Sequence, residues 1–270
     1  MKINYQELKA KYNKLGIAVP TIEMIKTEEQ IEKIREAGRI NTLVLDEVAK
    51  FIKPGISTEE INKIVHNKTI ELGGIPAPLN YQGFPKSCCT SVNDQVCHGI
   101  PSDKDILVEG DIINVDCTTI YNGYYADASR MFLIGKCDKE AINLVKVAKE
   151  ALDIAVKNLK PFSRLRDIGY NIEKYVKDNG YSVVHEIGGH GVGIEFHEDP
   201  FIYHYGKKNT GMILFPGMIF TIEPMVNEGS RSVFMDADNN WTIYTDDGGL
   251  SAQFEYTVLI TEDGVEILSY

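Results

Sequence analysis

The amino-acid sequence predicts an α+β fold assembled from two related halves. Three observations carry this expectation. An order of elements (long helix, Lys-Pro, Ser, second helix, glycine stop, then strands) occurs twice along the 270 residues, with little residue identity between the copies. Beyond residue 26, helical periodicity falls in two blocks, 27–73 and 138–180, and β-prone runs follow each block. Finally, Asn122-Gly123 lies between two β-prone stretches, and that dipeptide accepts the positive φ angles of a two-residue hairpin turn.

Residues 1–26 read as an N-terminal extension, with Leu8, Tyr12 and Leu15 forming one helical stripe broken by 16–20. Thr27-Glu28-Glu29-Gln30 is a capping box that opens a helix through Ile31, Ile34, Leu45, Val48 and Ile52, ended by Lys53-Pro54-Gly55. Ser57-Thr58-Glu59-Glu60 is a second box, and its helix carries Ile61, Ile64 and Val65 before stopping at Gly73-Gly74. Asp138 opens the matching long helix through Leu144, Ala148, Ala151, Ala155 and Leu159, ended by Lys160-Pro161. Ser163 precedes the last helix, which carries Ile168, Ile172 and Val176 and ends at Asn179-Gly180. Strands are expected over 181–187, 218–226 and 254–260. One domain over 27–270 follows, with halves at about 27–136 and 137–270.

A formal charge of -11 argues against nucleic acid or an anionic membrane as a partner. The first residues lack the apolar stretch of a signal peptide and no later run would span a bilayer, so a cytoplasmic protein is expected. The five cysteines, Cys88, Cys89, Cys97, Cys117 and Cys137, are expected to be reduced. No Cys-x-x-Cys pair exists, which excludes the usual thiolate zinc site.

The chemistry gathers on acidic residues in strands. With Asn122-Gly123 as the turn, Tyr121 faces Tyr124, Thr118 faces Asp127, and Asp116 lies diagonal to Asp127 on the same face. Two strand carboxylates on one face repel unless a positive charge sits between them; a solvated polar face is the alternative. Glu223 and Glu255 are embedded in apolar strand-like runs, where each needs a cation, whether Lys, Arg or a metal. His190 stands in Gly188-Gly189-His190-Gly191-Val192-Gly193, where the backbone is free to bend or approach a ligand. Four carboxylates and one imidazole would be roughly neutralised by two divalent cations.

Asp116, Asp127, Gly189-His190-Gly191, Phe196-His197-Glu198-Asp199-Pro200, Thr221-Ile222-Glu223-Pro224, Ala252-Gln253-Phe254-Glu255 and Val96-Cys97-His98-Gly99-Ile100-Pro101 together resemble the type I methionine aminopeptidases, from about Thr27 onward. The resemblance implies a pseudo-twofold pita-bread fold, an antiparallel sheet covered by helices. It implies two divalent ions (Fe, Mn, Co or Zn) held by Asp116, Asp127, His190, Glu223 and Glu255, with a hydroxide between them as nucleophile. Glu223 would accept the proton of the attacking water, His197 would stabilise the oxyanion, and His98 would contact the scissile amide. Tyr81, Phe84, Cys89, Phe196 and Trp241 would form the methionine pocket, with a monovalent cation near Asn93 and Ser251. Nascent peptide N-termini with a small second residue are the implied substrates. The implied state is a monomer, and residues 1–26 are a candidate ribosome contact. Pro78 and Ile194 depart from the family, which often has cysteine and arginine there. The segment from His197 to Glu223 is too short for the type II insertion. The rivals are a proline-directed peptidase on the same fold and a binding module that has lost catalysis.

Overall fold

A computed structural model describes residues 4–270. Five helices are present among them: α1 (Tyr5–Lys14), α2 (Glu28–Phe51), α3 (Thr58–Glu71), α4 (Lys139–Asn158) and α5 (Arg166–Asp178). Between the two helical blocks lie β1 (Ile75–Pro76), β2 (Cys89–Val92), β3 (Gln95–Cys97), β4 (Ile112–Tyr121) and β5 (Tyr124–Leu133). After α5 come β6 (Ser182–Val183), β7 (Gly189–Gly191), β8 (Glu198–Ile202), β9 (Ile219–Ile222) and β10 (Met225–Asn227). The chain closes with β11 (Val233–Met235), β12 (Ile243–Thr245), β13 (Ser251–Gln253), β14 (Glu255–Ile260) and β15 (Val265–Ser269).

The main sheet runs β1-β4-β5-β14-β9-β7-β8, with β2 also on β4 and β15 also on β14, and its pairings are antiparallel. This is the expected α+β arrangement of helices over an antiparallel sheet. Val44, Leu45 and Val48 of α2 pack with Ile61 and Val65 of α3 on Ile113, Val115 and Cys117 of β4. In the second block, Leu144, Ala148 and Ala151 of α4 and Ile168, Ile172 and Val176 of α5 join Phe220, Ile222, Val258 and Ile260. Each helix pair thus covers its own part of one continuous sheet.

Local chemistry explains why these elements form. In both capping boxes the side chain of Thr27 or Ser57 accepts the N3 N–H, and Gln30 or Glu60 reaches back to the cap N–H. Asn122 and Gly123 adopt φ 51° and 83°, the primed turn that keeps β4 and β5 in the register Tyr121↔Tyr124 and Thr118↔Asp127.

Several boundaries differ from expectation. Leu15 lies beyond the end of α1 and is 64 % exposed, and Ile17 and Val19 take its place beside Tyr5, Leu8 and Tyr12 against the second hydrophobic cluster. The apolar stripe of α1 is therefore spent on the chain's own core; residues 1–3 of the extension lie outside the described residues. Ser163 precedes α5 as expected, its hydroxyl donating to Lys160 O at 2.7 Å while Asp167 accepts the Arg164 N–H. The expected strand over 218–226 is divided at Glu223-Pro224, because proline has no N–H for the ladder and the Glu223 N–H turns away to a side chain. Only Ser182–Val183 of the expected 181–187 run is paired as a strand. Cys88, Cys89, Cys97, Cys117 and Cys137 are free thiols, as expected.

Candidate functional site

The hairpin β4–β5 supplies two acids to one face. Asp116 opposes Ser129 across the ladder and Thr118 opposes Asp127, whose Oδ1 accepts the Thr118 hydroxyl at 2.8 Å. Glu255 opens β14 next to β5, opposite Ser129, and Glu223 follows the last residue of β9 on the other side of β14. His190 sits at the centre of β7, the next strand outward. The glycines around it are required by close backbone packing. A Cβ on Gly189 would come within 2.5 Å of Thr221 O, and one on Gly191 within 2.3 Å of Asp199 O.

The imidazole is oriented by its own neighbour. His190 Nδ1 donates to Gly191 O at 2.9 Å, which leaves Nε2 facing Glu223 Oε1 at 3.7 Å and Asp127 Oδ2 at 3.9 Å. Ligand atoms of Asp127, His190 and Glu255 all lie within 4.8 Å of one another. The Thr221 hydroxyl accepts the His190 N–H at 3.0 Å and donates to Glu223 Oε1 at 2.7 Å. Glu223 Oε2 accepts from Gln253 Nε2 at 3.2 Å. The Glu223 backbone N–H donates to His204 Nε2 at 3.1 Å, so the proton of this fully buried imidazole is on Nδ1.

The electrostatics show what the cluster lacks. Burial pushes Asp116 up to about 7 and Glu223 up to about 8, and it drives Asp127 and Glu255 well above the usual carboxylate range, where the charges of the neighbouring acids raise both further. Four carboxyls buried this close together repel one another when ionised, so the cluster calls for positive charge between them. Among the described residues no lysine or arginine pairs with any of the four. Burial holds His190 down to about 3, neutral and able to offer a lone pair. Oxygen donors with one imidazole suit divalent cations of the magnesium-to-zinc range, and the donor set fits such ions.

These five side chains form the floor of a cavity of about 410 Å³. Its walls include Tyr81, Phe84, Cys89, Phe196 and Trp241, the expected methionine pocket. Tyr81 packs on Phe196 with centroids 4.7 Å apart, and Phe84 meets Trp241 edge-on at 5.2 Å. His98 and His197 line the same space. His98 is held at φ 56° and pushed down to about 4 by burial, while His197 has Nδ1 2.9 Å from the Tyr81 hydroxyl and is also lowered by burial. Pro78 is at the rim, and Ile194 is not among the lining residues. Asn93 and Ser251 also stand apart from the cavity, joined by the Ser251 N–H on Asn93 O at 2.9 Å.

The sequence placed Thr118 opposite Asp127, as observed, but did not mark Thr221 and Gln253 as supports of Glu223. Thr221 is two residues from Glu223 and Gln253 two from Glu255, and strand alternation could have found Thr221. Nothing in the local sequence marks His204. Glu186, Gly188 and Phe201 also line the cavity and were not anticipated.

Comparison with known proteins follows this geometry. Residues 32–262 match the profile of metallopeptidase family M24. A methionine aminopeptidase of Buchnera aphidicola subsp. Schizaphis graminum is 50 % identical over 247 residues, covering 92 % of this chain and 94 % of that protein. Methionine aminopeptidase 1 of Saccharomyces cerevisiae is 49 % identical over 246 residues, 91 % of this chain, which spans 63 % of the yeast protein's length. The crystal structure of methionine aminopeptidase from Rickettsia prowazekii superposes with a TM-score of 0.89 at 43 % identity, covering 91 % of this chain and 99 % of that one.

Proposed function

Since this chain belongs to metallopeptidase family M24, among its methionine aminopeptidases, we propose that it removes the N-terminal methionine from nascent polypeptides with a small second residue. The observation that carries this reading is the convergence of Asp116, Asp127, His190, Glu223 and Glu255 on the floor of a cavity with aromatic and thiol walls. A thioether suits such walls because sulfur is polarisable and packs well against ring edges.

The five ligands would hold two divalent cations, and these, when bound, supply a nucleophilic hydroxide at neutral pH and polarise the scissile carbonyl, as in two-metal aminopeptidases generally. Glu223, its two oxygens already oriented by Thr221 and Gln253, accepts the proton released in the attack. His197 donates to the developing oxyanion, and the Tyr81 hydroxyl beside its Nδ1 fixes the ring. His98, neutral at pH 7, contacts the scissile amide. The free α-amine of the substrate is received at the Asp116 end of the floor, which limits release to one residue. The preference for a small second residue is part of the same reading, with His98, His197 and Phe201 among the residues that line the cavity.

Iron, manganese, cobalt and zinc all suit this donor set. The reading retains a monovalent cation at Asn93 and Ser251, and a monomer acting in the cytoplasm; no helix among the described residues is long and apolar enough to cross a membrane. For the ribosome contact, the available surface is the exposed face of α1 bearing Lys9, Lys11 and Lys14.

Release of methionine from Met-Ala-Ser tests the reading, with Met-Pro and Ala-Pro peptides alongside, on metal-stripped protein before and after Mn(II), Fe(II) or Co(II). Metal-dependent cleavage of Met-Ala-Ser that is lost in Asp127→Asn supports it. Cleavage of Ala-Pro alone moves the assignment to the proline-directed relatives, and no cleavage with any metal favours a binding module.

A further inference from the structure

The loop between β7 and β8 carries Phe196 and His197 into the cavity, and one carboxylate holds it from beneath. Glu198 Oε1 accepts the backbone N–H groups of Ile194 at 2.6 Å and Glu195 at 2.9 Å, while its Oε2 is bonded by Lys26 Nζ. Lys26 is only 5 % exposed and stands 172 positions earlier, where the N-terminal segment enters α2. Its own N–H is fixed on Gly217 O at 2.9 Å. The lysine stem runs beneath Gly193, whose Cβ, if present, would lie 2.4 Å from Ile34 Cδ1 and 3.7 Å from Lys26 Cε. Removing either partner of such a buried pair leaves the other charge uncompensated, so the pair is a fixed strut and not a surface contact. Neither residue lines the cavity.

We propose that Lys26 and Glu198 are positioning residues for His197, a role that rests on the reading of His197 as the oxyanion donor. Ile194, Glu195 and His197 are exposed, and a loop so placed would sample several positions without an anchor. The carboxylate gathers two of its N–H groups and ties them to the start of α2. A donor displaced by about 1 Å loses much of its effect on turnover while still admitting substrate. The strut therefore acts on kcat in preference to KM, and it makes the residues just before α2 part of the site's support.

The test compares Lys26→Met, Lys26→Arg and Glu198→Gln, each with and without His197→Ala, in Mn(II)-loaded protein acting on Met-Ala-Ser. Glu198→Gln keeps an acceptor for the loop N–H groups at nearly constant volume, and it serves if Lys26→Met does not fold. Lys26→Met and Glu198→Gln are expected to lower kcat about 10- to 100-fold, with KM changed by less than about threefold. Lys26→Arg restores most of the loss, and neither variant adds to the loss already caused by His197→Ala. In metal-free protein the Ile194 and Glu195 amides should exchange about tenfold faster in the variants, and the His197 ring resonances should shift while those of His185 stay. A loss that repeats in full on His197→Ala, or unchanged exchange and ring signals, overturns the positioning role. If His197→Ala alone turns over like the unmodified protein, the reading of His197 itself fails.

Discussion

Thr118 and Asp127 face each other across the hairpin, and the threonine hydroxyl donates to Asp127 Oδ1 at 2.8 Å while Oδ2 lies 3.9 Å from His190 Nε2. One oxygen of the acid is thereby oriented and the other left to the centre. Thr118→Val keeps the shape and deletes the donor. Supporting hydrogen bonds of this kind are worth about 10- to 100-fold in metal affinity, so titration of the stripped variant with Mn(II) should give a Kd at least about tenfold weaker. An unchanged Kd would show that the hydroxyl does not orient the ligand.

The metal-free chain should lose stability as pH rises from 6.5 to 8. Asp116 and Glu223 are raised to about 7 and 8, so they favour the folded state while protonated, and that contribution disappears as pH climbs through the raised values. His98, His190 and His204, held down to about 4, 3 and 3, act oppositely: they destabilise as pH falls below the ordinary 6.5. Above 6.5 only the carboxyls remain. Urea midpoints measured in EDTA should fall across this window, and saturating Mn(II) should flatten the trend; a midpoint that rises in EDTA contradicts the account.

Gly191→Ala should cost about 2–3 kcal/mol, because a methyl group there meets the Asp199 carbonyl at 2.3 Å and two strand backbones must separate to admit it. Equilibrium urea unfolding of the metal-free variant checks this, and stability equal to the parent would mean that the β7–β8 crossing is looser than described.

Tyr12→Ala should destabilise the chain by about 2 kcal/mol, since the ring packs on Phe215 at 5.8 Å and stacks with Phe162 at 6.4 Å. At temperatures where the variant is folded, kcat on Met-Ala-Ser should be unchanged. Undiminished stability in urea would return α1 to the status of an appendage.

Features set by neighbours in sequence were legible before any coordinates. Both capping boxes, the hairpin register and the apolar stripes of α2 to α5 depend on residues a few positions apart, and the acids Asp116, Asp127, Glu223 and Glu255 stood out because each was a charge inside a strand pattern. What escaped depended on the order of strands in space. Thr257 exchanges hydrogen bonds with the Asp127 backbone, and His204 receives the Glu223 N–H, only because β14 and β9 lie where they do. Leu15 was misplaced for a local reason: a turn stopped the helix short of it.

Glu255 opens β14, which sits between β5 and β9 in the middle of the main sheet although both of them precede it in the chain. During synthesis, the hairpin and the second helical block emerge first, and the two flanking strands must wait for a partner made after both. Each molecule thus lacks both its central strand and Glu255 until β14 has been made. A chain cut before residue 255 would want for both the strand that joins the two halves of the sheet and one acid of the site.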